Sequence, residues 1–296
     1  MDCKTIGFIG LGKMGLPMSL NLCRAGFEVL VCSSNPDSAA QVEALGGRSV
    51  PSYQALAQQA DVVITIVPAD EEIRQLYLAP NGLLDNMRPG SVCIDMTTAQ
   101  GETMLMLERY IREHDLDIKV IDAPVSGGVP GAVNGTLSII VGCESKELCD
   151  SCTPIFQAMG KQVFYTGGLG CGSNIKMINQ MVNAANTAIA AEAICLAKQL
   201  GIDLDTLCQV INQSSGRSYV FERNVPHMVT GDHTPGFRLA LMEKDVGLFM
   251  AAARSSHAFT PVAELVYQIY KAASNQGNAE RNYTCIQEWL EQSQGK

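Results

Sequence analysis

The 296-residue sequence has no apolar run approaching the roughly 18 residues that cross a bilayer. Its first residues pass straight into a strand pattern instead of a basic stretch followed by an apolar one. Neither a membrane segment nor a signal peptide is therefore expected, and a cytoplasmic protein is. Basic residues are in short supply: 21 Lys and Arg stand against 30 Asp and Glu, a net charge of -9. That balance removes any electrostatic reason to expect nucleic acid, and an anionic substrate would need a positive field local to its site. The four histidines, His114, His227, His233 and His257, have no ligand spacing. Eleven cysteines run from Cys3 to Cys285. Their odd number and apolar settings suit reduced thiols. Only Cys149 and Cys152 form a C-x-x-C pair, and without a second pair they read as neighbours on a helix, with no metal expected. Repeats and low-complexity tracts are also missing.

What is present describes an ordinary globular chain of about two domains, with 47% hydrophobic and 17% charged residues. A short apolar strand, Lys4 to Ile9, runs into Gly10-Leu11-Gly12-Lys13-Met14-Gly15 and then an apolar helix pattern. In strand-turn-helix context this G-x-G-x-x-G is a dinucleotide fingerprint. The first glycine makes the tight turn, the second admits a pyrophosphate, the third packs helix on strand, and the helix N-terminus offers free N–H groups. The next strand, Phe27 to Cys32, ends in Ser33-Ser34-Asn35, where a ribose-binding carboxylate is often found. With hydroxyls and an amide in its place but no adjacent arginine, NAD and NADP both stay open, with a slight lean to NADP.

Helices are expected over 36–45 and 52–59, a strand from Asp61 to Val67 ending at Pro68, and a helix from Glu71. The strand Ser91 to Met96 closes on Thr97-Thr98, at the sheet edge where doubly wound folds bind ligands, although a hydroxyl there could equally cap the helix from Gly101. Ile118 to Ala123 empties into Pro124-Val125-Ser126-Gly127-Gly128, whose successive amides and hydroxyl suit a carboxylate, or else form a plain crossover loop. Strands over 136–142 and 162–166 complete this half. Beyond Gly172 only helical patterns appear, over 203–213, 219–228, 237–256, 261–275 and 279–292. The expected fold is an α/β Rossmann sheet over 1–170 followed by an all-α domain over 171–296, joined by a long helix.

That helix, within Gly170 to Gly201, would hold about 28 residues in roughly 40 Å. Its first turns carry Lys176, Asn179, Gln180 and Asn183 at i, i+3, i+4 and i+7, one ammonium and three amides on a single face. Such groups either meet water or need partners. The preceding glycine-rich loop, 167–172, lets a ligand come close. Further along, Met242-Glu243-Lys244-Asp245 sets charges inside an apolar helix, where a solvated face is the default, and Arg217 stands in a small-residue loop suited to an anion.

Taken in order, GFIGLGKMGLPMSLNL, DAPVSGG at Asp122 to Gly128, the glycine loop with Lys176, and Lys244-Asp245 resemble the β-hydroxyacid dehydrogenase family over essentially the whole chain. The resemblance implies NAD(P)-linked interconversion of a small 3-hydroxy acid and its semialdehyde by a homodimer or homotetramer. It implies that Lys176 is the catalytic lysine and that Ser126, Gly127 and Gly128 hold the substrate carboxylate. Asn179 takes the amide role with Gln180 and Arg217 as further substrate contacts. Gly10 to Gly15, Ser33, Ser34, Asn35, Val67, Pro68, Thr98 and Lys244 serve the cofactor, and Asp245 helps order the site. An imine reductase of the same fold and a non-catalytic nucleotide sensor are the alternative readings.

Overall fold

The computed structural model describes residues 5–234 and 236–293. Lys4, expected to open the first strand, and Cys3 lie outside the described residues. The chain forms two compact units, Met1–Lys176 and Met177–Lys296, so the division falls six residues further into the long helix than the expected 170/171 boundary.

The first unit is built on a sheet of nine strands among the described residues: β1 Thr5–Ile9, β2 Glu28–Val31, β3 Arg48–Ser49, β4 Val62–Thr65, β5 Ser91–Asp95, β6 Ile118–Asp122, β7 Val125–Ser126, β8 Leu137–Cys143 and β9 Gly160–Tyr165. The order is β3-β2-β1-β4-β5-β6-β8-β7, with β9 beside β8. The first six strands in this order are parallel, β8 runs antiparallel to β6 and β7, and β9 lies parallel to β8. Strands β4 and β5 are buried at every position, because helices cover both sheet faces. Side-chain alternation then sorts each strand between two cores. Phe8, Val29, Val31, Val62, Ile64, Val92 and Ile94 pack with Met18 and Leu22, whereas Ile9, Leu30, Val63 and Cys93 pack with Tyr77, Met104 and Leu107. Strands β3 and β7, two residues each, are too short for period-two patterning to announce them.

The helix Cys171–Gln199 is continuous over 29 residues. In the second unit its Ala184, Ala188, Ala191 and Ile194 pack with Met242, Val246 and Tyr270, and the Tyr270 hydroxyl donates to the Ala184 carbonyl at 3.3 Å. Helices Leu204–Asn212, Tyr219–Thr230, Leu239–Ser255 and Pro261–Ala273 follow, the first capped by Asp203 and the second by Ser218. The expected helix over 279–292 is shorter. Gly277 turns the chain at φ +90°, and Ala279 and Arg281 give their carbonyls to Ala240 and Leu239 at 2.9 and 2.8 Å. Regular helix therefore resumes only at Ile286–Ser293, after a 3-10 turn, Tyr283–Cys285.

Candidate active site

Strand order reverses between β1 and β4, which leaves a crevice beyond their carboxyl ends. The three fingerprint glycines occupy it in three different ways. Gly10 adopts φ +101°, and a Cβ there would strike the Ile66 carbonyl; a Cβ on Gly15 would strike the Gly10 carbonyl. At Gly12 an added Cβ meets no protein atom within 4 Å, so its smallness keeps space open to a ligand instead of closing packing. This is the cradle a pyrophosphate requires, and it fits a dinucleotide. Leu11, Lys13 and Met14 complete the turn, with Lys13 exposed and the helix Gly15–Arg24 rising from it. A cleft of about 410 Å³ opens beside the turn, walled by Ile9, Gly10, Tyr53, Val67 and Leu76. A smaller hollow of about 200 Å³ lies by Ile118 and Lys119, at the opposite end of the strands.

After β2, Asn35 spends its side-chain oxygen on the Asp37 and Ser38 amides at 3.0 and 3.4 Å, capping the helix Pro36–Glu43. The Ser33 hydroxyl accepts from the Asn35 amide at 3.1 Å, and Ser34 is exposed. Of the three candidates here, Ser34 and the outer face of Ser33 keep the most capacity for a ribose.

The loops after β4 and β5 are tied together by a carboxylate that the sequence pattern did not single out. Asp95, 1% exposed, accepts from the Thr65 hydroxyl at 2.5 Å and from the Thr97 amide and hydroxyl at 3.0 and 3.2 Å. The Thr97 hydroxyl in turn accepts from the Val67 amide at 3.0 Å, and Thr65 bonds Tyr77. Val67 and Thr97, which lie just beyond the carboxyl ends of β4 and β5, are thus set by one buried acid. Burial pushes the Asp95 carboxyl up to about 7, against the lowering effect of its three donors. The helix Gly101–Glu113 takes its acceptor from Asp70, which receives the Gln100 amide at 2.9 Å and the Thr103 hydroxyl at 2.5 Å. A threonine cap is not what occupies that position.

Asp122, the last residue of β6, plays a matching part. Its two oxygens accept from the Gly170 and Ser173 amides at 2.7 and 2.5 Å, so it caps the long helix from a strand some fifty residues earlier. Gly142 and Gly172 crowd against this carboxylate so closely that a Cβ on either would collide with it or with adjacent backbone. Lys176 follows Ser173 by three residues on the same face and is 6% exposed, so the reading of that face as solvated does not hold for the lysine. The same Asp122 begins the turn into Ser126, half-buried in β7, and Gly127 and Gly128, exposed at φ +132° and +62°. The Asp122 carboxylate therefore holds the head of the lysine-bearing helix, and the chain runs on from Asp122 into the serine-glycine loop, whose Val125 and Ser126 pair with β8. An acid closing an apolar strand was the available signal for Asp95 and Asp122, but strand-end acids also arise as ordinary surface residues.

In the second unit, Gln180 is buried and donates to Asp245 at 2.7 Å, and the Lys244 ammonium stands 3.0 Å from the other Asp245 oxygen. Asp245 is 3% exposed, so the solvated-face expectation for 242–245 fails there: it is a buried acid with two partners. Asn179 is exposed, on the side of the helix that carries Ile178 and Val182. Arg217 is exposed in the turn closed by a hydrogen bond from its backbone N–H to the Ser214 carbonyl at 3.1 Å. Cys149 and Cys152 are buried free thiols within the sheet-side core.

A glycine cradle at the switch point of a mostly parallel sheet, followed by a helical unit, defines a dinucleotide-binding protein of the Rossmann class. Residues 5–167 match the NAD-binding domain of 6-phosphogluconate dehydrogenase, and residues 170–290 match the NAD-binding domain of NADP-dependent 3-hydroxyisobutyrate dehydrogenase. The chain is 34% identical to the NAD-dependent L-serine dehydrogenase of Pseudomonas aeruginosa, over 99% of this chain and 100% of that one. It is 31% identical to the 2-(hydroxymethyl)glutarate dehydrogenase of Eubacterium barkeri, over 98% and 96%. Among solved structures, Mycobacterium tuberculosis 3-hydroxyisobutyrate dehydrogenase with L-serine superposes with a TM-score of 0.88 at 32% identity, over 97% of this chain and 99% of that one. An imine reductase from Myxococcus stipitatus, at 16% identity and a TM-score of 0.63, shares the fold. The chain belongs to the β-hydroxyacid dehydrogenase family and is an NAD(P)-dependent 3-hydroxyacid dehydrogenase.

Proposed function

We propose that the protein oxidises a small 3-hydroxy acid, or reduces the corresponding semialdehyde, with Lys176 as general acid and base. The observation that carries this reading is a buried lysine on a helix whose head is bonded to Asp122, the residue that opens the serine-glycine loop. L-serine, 2-(hydroxymethyl)glutarate and 3-hydroxyisobutyrate, the compounds in three of the relatives' names, are carboxylates with a hydroxymethyl group on the α-carbon, whereas the L-threonate of a fourth is a 3-hydroxy acid without it. The proposed substrate class has the hydroxymethyl pattern.

In this reading the Ser126 hydroxyl and the Gly127 and Gly128 amides receive the carboxylate, which fixes the hydroxyl carbon and lowers the entropic part of the barrier. The Lys176 amine takes the hydroxyl proton in oxidation and returns it in reduction. Asn179, exposed on the next turn, offers its amide to the substrate, while Gln180 is held by Asp245 and steadies the face. When bound, the nicotinamide supplies hydride transfer; Gly10 to Gly15, Ser33, Ser34, Val67, Pro68, Thr98 and Lys244 are the residues that would hold the dinucleotide. Hydroxyls in place of a carboxylate after β2 leave room for NADP as well as NAD, with a slight lean to NADP. Arg217 would select diacids by binding a second carboxylate. The expected assembly is a homodimer or homotetramer, supported by Val182, Ile189 and Leu196, which stand at seven-residue spacing and are 54%, 61% and 56% exposed.

The test is a nicotinamide absorbance assay with serine, 3-hydroxyisobutyrate, 2-(hydroxymethyl)glutarate and a cyclic imine, on wild type and Lys176→Ala. General acid-base help of this kind is worth about 10²- to 10⁴-fold, so kcat should fall by that range with dinucleotide affinity unchanged. Near-wild-type turnover by the variant would remove Lys176 from the chemistry. Turnover of the imine with every acid inert would replace the dehydrogenase reading by the reductase one.

A further inference from the structure

Of the four polar residues that share a face at the start of the long helix, Asn183 is the one to which the proposed reaction gives no role. It stands seven residues beyond Lys176, next to a chain of side-chain hydrogen bonds whose proton directions are all fixed. The completely buried Thr187 hydroxyl gives its proton to the Asn183 carbonyl at 2.9 Å. The Asn224 atom that faces the Thr187 oxygen at 3.2 Å is therefore the amide nitrogen, and the same nitrogen stands 2.8 Å from the Tyr283 hydroxyl oxygen. Tyr283 accepts there, so its own proton goes onward to the Asn183 Oδ1 at 3.4 Å. The Tyr283 ring is itself held, meeting Phe237 edge to face at 5.8 Å, and its backbone N–H donates to the Phe237 carbonyl at 3.0 Å.

This chain chooses one of the two orientations open to the Asn183 amide. A free asparagine presents either its oxygen or its nitrogen after a half-turn about χ2. Here the oxygen is taken by Tyr283. The nitrogen has no acceptor among the described residues and is left as a donor on a half-buried side chain. Helical side chains lean toward the N-terminus, so the amide tilts toward the turns of Asn179 and Lys176, whose α-carbon lies about 10 Å away along the axis. Lys176 leans the same way, which keeps the two tips apart. A ligand that touches both must extend well beyond the carbon bearing its first carboxylate.

We infer that Asn183 determines specificity by donating its amide N–H to an acceptor oxygen at the far end of a substituent on C-2 of the substrate, with Tyr283, Asn224 and Thr187 as the positioning residues that stop the amide from turning. The substrate class narrows to hydroxy acids with a second polar terminus, a carboxylate above all, and away from those with a methyl or an ammonium on C-2. This rests on the proposed reaction at Lys176. A fixed donor favours an acceptor and disfavours a group that lacks one or that also donates. Arg217 would add charge to such recognition; Asn183 supplies direction.

The test is the nicotinamide absorbance assay with 2-(hydroxymethyl)glutarate and with 2-(hydroxymethyl)pentanoate, in which a methyl replaces the second carboxylate. Wild type should show kcat/KM at least about tenfold higher for the diacid, as expected for a charge-assisted hydrogen bond. Asn183→Leu should bring that ratio to about threefold or less. Asn183→Asp keeps the acceptor for Tyr283 and sets a like charge against the second carboxylate, so the ratio should fall below one. Tyr283→Phe frees the amide to turn and should narrow the ratio about three- to tenfold, chiefly through KM for the diacid, whereas a merely structural role would lower kcat/KM for both compounds alike and leave the ratio intact. A wild-type ratio near one, a ratio that survives Asn183→Leu, or turnover of L-serine and 3-hydroxyisobutyrate with the diacid inert would overturn the assignment and leave the reaction at Lys176 standing. If none of these four acids were turned over, the proposed reaction would fall, and this assignment with it.

Discussion

Replacing Asp95 by Asn should change how the stability of the sheet unit depends on pH. Asp95 is completely buried, and burial raises its carboxyl from the ordinary 3.8 to about 7. The folded state therefore binds a proton that the unfolded state has released throughout the interval from about pH 4 to pH 7. Because the native state binds more protons there, stability falls as pH rises. The contribution is complete below about pH 4 and is lost as pH passes through about 7. With these two values, linkage gives a loss on the order of 2–3 kcal/mol between pH 5 and pH 8, more than a decade in an opening equilibrium. Asn cannot titrate, so Asp95→Asn should lack this component. It should carry instead a pH-independent penalty of about 1–3 kcal/mol, since the Thr97 hydroxyl, already an acceptor from Val67, loses its own acceptor.

The sole tryptophan, Trp289, lies in the helical unit and is a poor reporter of the sheet. Hydrogen exchange of peptides covering 62–65 and 91–95 reads the relevant strands directly. The ratio of wild-type to variant exchange at each pH cancels the intrinsic chemistry of exchange. That ratio should rise by at least about tenfold from pH 5 to pH 8. A ratio independent of pH would mean that Asp95 is charged across the whole range and that its three donors outweigh its burial.

Three further outcomes follow from the same geometry. Gly12→Val should leave the melting temperature within about 2 °C of wild type, since its side chain points into open space, yet abolish dinucleotide binding by calorimetry; retained binding would refute the cradle. Gly15→Val should instead lower the melting temperature or prevent folding, because its Cβ meets the Gly10 carbonyl. Asp122→Asn keeps one acceptor for two amides, so a cost of about 1–3 kcal/mol in urea titration is expected together with a fall in kcat that exceeds any change in KM; unchanged kcat would detach Lys176 from the Asp122 cap.

Much of this was legible in the residues. The fingerprint glycines, the alternation of apolar strands and helices and the change to all-helical patterning near residue 170 are local signals, because period and turn chemistry are set by neighbours in the chain. Ser126 to Gly128 and Lys176 stand out in the same local way, by a turn and by a helix face, as the candidates of the proposed site. The 279–292 segment was misread because Ala and Glu there favour helix, while its carbonyls are taken by Leu239 and Ala240, some forty residues away.

What tertiary structure alone decided is which polar groups lose their water. Asp95 and Asp122 end apolar strands like any surface acid, and only the sheet register places Thr65, Thr97, Gly170 and Ser173 around them. Asp245 sits in a charged run that could have faced solvent, and its burial appears only once Gln180 packs against it. A chain's order states which chemical groups exist and in what local rhythm; the energy of a charge depends on desolvation and on partners distant in sequence, and those exist only in the folded molecule.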